Sequence, residues 1–290
     1  MFILKEIIVA HSPDADDIFM YYAIKFGWVS LKEIKFKNLA LDIESLNKAT
    51  LRGEYDICAI SFALYPFVKN DFALLKTAVS FGEGYGPKLV KKKGKFLKKN
   101  FTMALSGEHT TNAMLFRIKY PNAKIKYMNF LEIENAVLEG RVDAGVLIHE
   151  SILTYDKHLE VEEELYNIWE KLAGKDTPLP LGGMCIRRSI PLHSAIEYER
   201  TLIKAVEVAH SNKSLLSKML IERDLIRVNS KTLNRYLDLY ANENSIQLNE
   251  TQYKALDKLY EIGYKHGFYK QLISSKDFII PSNYNTLRAQ

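Results

Sequence analysis

Cysteine is scarce. Cys58 and Cys185 are the only two in 290 residues, too few and too isolated for a disulfide framework or a zinc site. Each stands among apolar neighbours, where a free cysteine is ordinarily a small core residue. No apolar stretch approaches the ~18–20 residues that span a bilayer. The opening MFILKEIIVAHSPD has too short an apolar run for a signal sequence and no small-residue cleavage site, so it reads as a first strand. A cytoplasmic location is the expectation. Low-complexity tracts and coiled-coil heptads are missing, as are G-x-S-x-G, P-loop, H-E-x-x-H and paired-cysteine motifs.

Excess charge is also modest, at a net +5. Much of it lies in KLVKKKGKFLKKN (88–100), which carries seven lysines. A nucleic-acid surface calls for arginine, interleaved aromatics and several such patches. One lysine cluster around a turn glycine reads instead as a solvated loop, and neither nucleic acid nor a membrane is an expected partner. What remains is an ordinary globular composition, 47% hydrophobic and 26% charged, long enough for two lobes at about 150 residues each.

The first two-thirds alternates strand and helix. KEIIVA (5–10) reads as a strand and Asp14 opens a helix towards Trp28. KFKNLAL (35–41) is a second strand, Asp42 caps a helix to about Arg52, and Ile57–Phe62 is a third strand. FTMALS, KIKYMNF and VDAGVLI follow as strands, separated by helices over Thr110–Lys119 and Glu132–Glu139. This rhythm predicts parallel-dominated sheets covered by helices. From about Leu192 the spacing becomes helical. TPLPLGGMCIRR (177–188), rich in Pro and Gly, reads as the crossover between the two parts.

One unit occurs twice. Ala49, Leu51, Gly53 and Asp56 match Ala136, Leu138, Gly140 and Asp143, 87 residues later, each set followed by an apolar strand. The glycine suits the left-handed turn that ends a helix, and the aspartate can tie down the turn into the strand. Chance similarity is the alternative, since helix–Gly–strand is common. Ligands of open parallel sheets lie beyond the C-terminal strand ends. Two facing copies would therefore set Ser61 and His149 on opposite walls of one cleft.

Three loops could carry chemistry. In HSPDADDIF (11–19) the acids suit the positive end of a helix. They argue against phosphate there, and the run lacks the Gly and distal Glu of an EF-hand. SFGEGYGP (80–87) contains G-x-G-x-G, but Pro87 and a strand-like KLV follow it, so dinucleotide binding is rejected. Glu83 in its midst is either exposed or a site residue. In SGEHTTNAM (106–114) the hydroxyls and free N–H groups of a helix start suit a carboxylate; ordinary threonine capping is the alternative.

Taken in order, SFGEGYGP, the Thr110–Thr111 helix start, the strand end Ile148-His149-Glu150 and LPLGG-x-x-IRR resemble the 1,4-dihydroxy-6-naphthoate synthases of the futalosine route to menaquinone. The resemblance runs from His11 to about Arg188. It is weaker in the C-terminal helices, although YANENSIQLNETQYKALDKLY is also similar. It implies a two-lobed, periplasmic-binding-protein-like (type II) α/β fold. Residues 1–98 and 185–290 would form the larger lobe, 99–184 the smaller, with a ligand cleft between them. It also implies a carbon–carbon lyase acting on cyclic dehypoxanthinyl futalosine, a small carboxylate, with no metal or organic cofactor.

By the same resemblance His149 is the proton acceptor. Ser61, with the backbone at Ala59 and Ile60, is one substrate-binding strand end, and Thr111 and Asn112 form the contact of the other lobe. Ser12, Thr110 and Glu83 complete the candidate substrate-binding set. The family form SPCPNDTF is altered here to Ser12-Pro-Asp-Ala-Asp-Asp17-Ile-Phe19, so no detailed role for Asp14 or Asp16 carries over. Asn112 stands where Ala is common, which suggests a backbone contact. Imidazole titrates where a base near neutral pH must. Side chains alternate along a strand, so an extended chain cannot aim both His149 and Glu150 at the cleft; Glu150 is assigned to structure. The rival readings are chorismate dehydratase, whose early SYLN-type strand end is missing, and a non-catalytic carboxylate-binding protein.

Overall fold

Short-range contacts decide where helices begin. The computed structural model describes residues 5–282, and in it Asp14, Asp42, Thr110 and Asn249 all stand at helix N-caps. Their side chains accept the N–H groups of Asp17, of Glu44 and Ser45, of Ala113, and of Gln252, meeting donors that the first helical turn leaves free.

The chain begins β1 (Lys5–His11), α1 (Ala15–Lys25), β2 (Ile34–Ala40), α2 (Ile43–Leu51), β3 (Ile57–Ser61), a short α3 (Tyr65–Val68), β4 (Phe72–Leu74) and β5 (Ser80–Gly82). It continues β6 (Lys88–Lys92), β7 (Thr102–Leu105), α4 (Thr111–Lys119), β8 (Lys124–Tyr127), α5 (Phe130–Leu138), β9 (Ala144–Leu147), β10 (Leu159–Glu164) and α6 (Leu165–Ala173). After β11 (Leu179–Arg187) come α7 (Leu192–Ser211), α8 (Lys213–Glu222), α9 (Ser230–Tyr240) and α10 (Glu250–Lys265).

Two sheets result. One has the order β2-β1-β3-β11-β4, with β5 also on β11; the other is β10-β6-β9-β7-β8. Each is built on a parallel trio, β2-β1-β3 and β8-β7-β9, made by the same strand–helix–strand–helix–strand path. Antiparallel strands complete both sheets. The two-lobed α/β expectation holds, but the sheets are mixed rather than parallel-dominated, because β6 and β11 enter each sheet against its trio.

Those two strands also move the boundary between lobes. β6 pairs with β9 and β10, so residues 88–98, expected in the larger lobe, lie with the second sheet. The expected boundary at 184/185 falls inside β11, which is hydrogen-bonded to β3 along Gly182–Ile186. Pairing across a sheet, which periodicity does not encode, made the difference. Lys88–Lys92 is likewise a strand and not a loop: Lys91 sits opposite the acidic β10, 2.6 Å from Glu162 and 3.5 Å from Glu160. Its charge is balanced locally.

The repeated unit has the same geometry in both copies. Gly53 and Gly140 adopt φ of 65° and 78°, and the residue after each returns its N–H to Ala49 or Ala136, closing α2 and α5. Asp56 then accepts the Ile8 N–H of β1 at 3.1 Å, and Asp143 the Thr102 N–H of β7 at 2.8 Å. The aspartate thus locks the entering strand to its parallel neighbour. Two connections join the lobes, residues 83–87 and 174–178, and they run side by side because Leu179 pairs with Gly82. The C-terminal helices return to the first lobe, α7 against α1, α9 across α1 and β5, and α10 against β11.

Candidate active site

Strand ends from both lobes converge on one cavity of about 100 Å³. The first lobe contributes Ser12 after β1, Ala59–Ser61 at the end of β3, and Leu181–Gly183 of β11; the second contributes Thr110–Asn112 at the start of α4 and Ile148–His149 after β9. Ser12, Ala59, Ile60, Ser61, Thr110, Thr111, Asn112 and His149 therefore share one cavity. Glu83 does not. It is exposed on the turn after β5, where Gly84 at φ 80° swings the chain outward, and it accepts a hydrogen bond from Asn244 at 3.0 Å.

His149 ends the extended run: at φ 55° it turns left-handed and starts a 3₁₀ turn over His149–Ile152. Histidine is among the residues that tolerate this region. The alternation argument fails here because the chain is no longer extended, and both His149 and Glu150 reach the N-terminus of α1. Nδ1 of His149 lies 2.5 Å from Asp14 Oδ2. Glu150 accepts the Ala15 N–H at 2.8 Å and lies 3.5 Å from Arg227. The structural assignment of Glu150 is thus given a specific partner, the start of α1. The Phe130 ring stands edge-on to the imidazole at 4.7 Å.

The Asp14 contact puts the neutral-state proton of His149 on Nδ1 and leaves the Nε2 lone pair towards the cavity. Nε2 is buried and has no partner among the described residues, and neither have Ser12 Oγ and Asn112 Oδ1 on the same walls. Thr110 is committed to its cap: its hydroxyl accepts from Ala113 and donates to Gly107, both at 3.1 Å. Thr111 donates to the Leu181 carbonyl at 3.5 Å. The leading N–H groups of α4, at Thr111 and Asn112, remain for an anion.

Four carboxyls crowd this histidine. Asp14, Asp16 and Glu150 are buried and Asp17 nearly so, while the neighbouring cations are His149 and Arg227. Burial disfavours a charge on His149, but Asp14, by charge and hydrogen bond, outweighs it and holds the imidazole above its ordinary value. Burial would likewise raise Asp14, yet His149 keeps it below the usual range. Asp16 and Asp17 are pushed well up by burial and by the Asp14 charge. Glu150 is raised by burial and Asp14 against the pull of His149 and Arg227. Asp16 accepts a hydrogen bond from Tyr236 at 3.2 Å, and Asp17 accepts the Ser12 N–H at 2.7 Å.

Asp14, Asp16 and His149 offer atoms within 4.8 Å of one another, close enough to suggest metal ligands. Two donors on one tetrahedral zinc ion at ~2.0–2.1 Å would sit roughly 3.3 Å apart. The 2.5 Å between Nδ1 and Asp14 is too short for two ligands of one ion and is instead a short hydrogen-bond contact.

A carboxyl raised by burial binds its proton more tightly folded than unfolded, so its contribution to stability falls as pH rises above the unfolded value. Asp16→Asn removes that penalty. It is expected to raise Tm by a few degrees at about pH 8 and by progressively less as the pH is lowered and Asp16 takes up its proton; thermal melts of both proteins over a series of pH values check this.

The family described as "Menaquinone biosynthesis" matches residues 7–265. The chain belongs to this family. Two curated relatives, from Streptomyces coelicolor and Thermus thermophilus, each bear the name 1,4-dihydroxy-6-naphthoate synthase. The first is 29% identical and covers 86% of this chain and 89% of its own; the second is 26% identical and covers 89% and 93%. A crystal structure of an Archaeoglobus fulgidus protein superposes with a TM-score of 0.84 at 31% identity, covering 91% of this chain and 98% of that one. The periplasmic aliphatic sulphonate binding protein of Escherichia coli shares the fold alone, with a TM-score of 0.64 at 10% identity over 95% and 97%.

In this member of the menaquinone-biosynthesis family, the sequence reading missed part of the cavity wall. Asp14 caps α1 through one oxygen, as its place before the helix implies, but its other oxygen meets His149. Asp16, Tyr236, Tyr240 and Gly182–Gly183 also line the cavity. The density of acid in HSPDADD was the one available signal. The two tyrosines gave none, because on an amphipathic helix they read as core.

Proposed function

We propose that the protein is a carbon–carbon lyase that converts cyclic dehypoxanthinyl futalosine to 1,4-dihydroxy-6-naphthoate and dihydroxyacetone, with His149 as general base. Membership of the family and the names of the two curated relatives support the reaction. The observation that carries the role of His149 is its Nε2, buried and unpartnered on the cavity wall while Nδ1 is held by Asp14.

Neutral imidazole takes a substrate proton at Nε2; the pair released moves into the ring, the pair of the breaking C–C bond leaves with the three-carbon fragment, and the imidazolium returns its proton to that fragment as dihydroxyacetone forms. Charge developing on a substrate oxygen meets hydroxyl donors at Ser12 and Ser61. The substrate carboxylate fits the start of α4, where the N–H groups of Thr111 and Asn112 and the helix dipole favour an anion.

The fold shared with the sulphonate-binding protein supports a second reading, a binder that retains the carboxylate without turnover. Incubation of the purified protein with cyclic dehypoxanthinyl futalosine separates them. Naphthoate and dihydroxyacetone in equal amounts are expected; tight binding of the substrate with no product would favour the binder. Dehydration of chorismate in place of this reaction would identify the sister enzyme of the pathway.

A further inference from the structure

Asp14 and His149 belong to different lobes. Asp14 follows β1 of the first sheet, and His149 follows β9 of the second. Their 2.5 Å contact therefore crosses the cleft. So do the Glu150 contact to the start of α1 and the Glu108 N–H donated to Glu44 at 3.0 Å. The cavity lies between the walls that these contacts join. Its free polar atoms, His149 Nε2, Ser12 Oγ and Asn112 Oδ1, are all shut off from solvent. A substrate with two fused rings enters only when the lobes part, and parting them draws Asp14 away from His149. Hinge motion about two adjacent connections is an ordinary way for such lobes to move.

We propose that Asp14 is a positioning residue that completes the base across the cleft: His149 acquires its carboxylate partner only when the lobes close. The proposal rests on the reading of His149 as the base. Closure then does two things at once. It fixes the imidazole with Nδ1 as donor, so that Nε2 is the proton-accepting atom, and it strengthens that base by setting an anion behind it. The other ionisable groups facing the site keep this assignment to one residue. Asp16 is held by Tyr236 of α9, Asp17 by the Ser12 N–H, and Glu150, on the same turn as His149, by Ala15 and Arg227. Among these acids, Asp14 is the one in hydrogen-bond contact with the ring.

Asp14→Asn tests the role without removing the helix cap, since asparagine caps as well as aspartate. We expect kcat to fall by about 10²-fold or more with KM little changed, and the acid limb of the kcat profile to move to lower pH. A purely structural role would lower Tm and leave that limb in place.

A second measurement needs no substrate. A Cβ placed on Gly107 would lie 3.2 Å from Glu44 Cβ across the cleft, close to the ~3.5–4.5 Å of a disulfide. Glu44→Cys with Gly107→Cys should thus lock the lobes shut on oxidation and free them on reduction, the native cysteines being buried. NMR titration of His149 in this variant should show it holding its proton to higher pH oxidised than reduced. Adding Asp14→Asn should abolish the difference. Equal titration in the oxidised and reduced forms, or an unshifted kinetic limb in Asp14→Asn, overturns the proposal. Full turnover by a His149 variant overturns the reading of the base itself, a separate outcome.

Discussion

His149→Asn is expected to lower kcat by about 10²–10⁴-fold, the usual contribution of a positioned general base, while the protein stays folded. Asparagine is the informative replacement because it also tolerates the left-handed backbone that His149 adopts at φ 55°. It keeps a polar group opposite Asp14 but removes the basic nitrogen facing the cavity. KM should change little, because the proposed substrate contacts at Ala59–Ser61 and the start of α4 are left intact, so the loss falls on the chemical step. The pH profile supplies the sign. His149 is held above its ordinary value, and an imidazole accepts a proton only when neutral. Wild-type kcat should therefore climb as pH rises through that raised value, and the residual rate of His149→Asn should lack this limb. Steady-state kinetics with circular dichroism as the folding control decide it; wild-type turnover in a folded variant would remove His149 from the mechanism.

Trp169→Ala is expected to cost about 3–5 kcal/mol of stability, with a fall in Tm on the order of 10 °C. Trp169 is fully buried on α6, beside Leu165 and Ile168 on the face that packs inward. Its indole N–H donates to the Thr177 carbonyl at 2.9 Å. Thr177 lies in the connection that leads into β11, so this one side chain fills the core and pins the strand that carries Leu181–Gly183 to the cavity. Alanine would leave a cavity and an unanswered carbonyl together. Trp169→Phe keeps most of the packing and loses the hydrogen bond, and should cost about 1–2 kcal/mol. Chemical denaturation of the three proteins ranks them; a Trp169→Ala midpoint equal to that of the wild type would show that the packing argument is wrong.

Much of the site was legible because its parts are local. The caps at Asp42 and Thr110 are settled by residues two or three positions on. The turns at Gly53 and Gly140 are settled by a glycine at positive φ, so the repeated unit announces itself in the sequence. Once that unit is placed twice, Ser61 and His149 fall at equivalent strand ends and Thr110–Asn112 at a helix start beside them. Glu83 shows the limit. Glycines on both sides marked a sharp turn, but which way the turn points depends on how β5 leaves β11.

The sequence by itself determined the helix starts at Asp42 and Thr110, the strand–helix alternation of the two parallel trios, the duplicated helix–turn–strand unit, and the histidine at a strand end. Each depends on groups within a few residues of one another, where backbone geometry and hydrogen-bond reach leave few alternatives. Tertiary structure alone decided that β6 joins the second sheet, that β11 runs against β3, and that Glu150 meets Ala15, 135 residues away. It also decided that Asp14 faces His149. The same carboxylate that caps α1 becomes the partner of His149 in the other lobe, because the contact exists only once two separately built sheets are brought face to face.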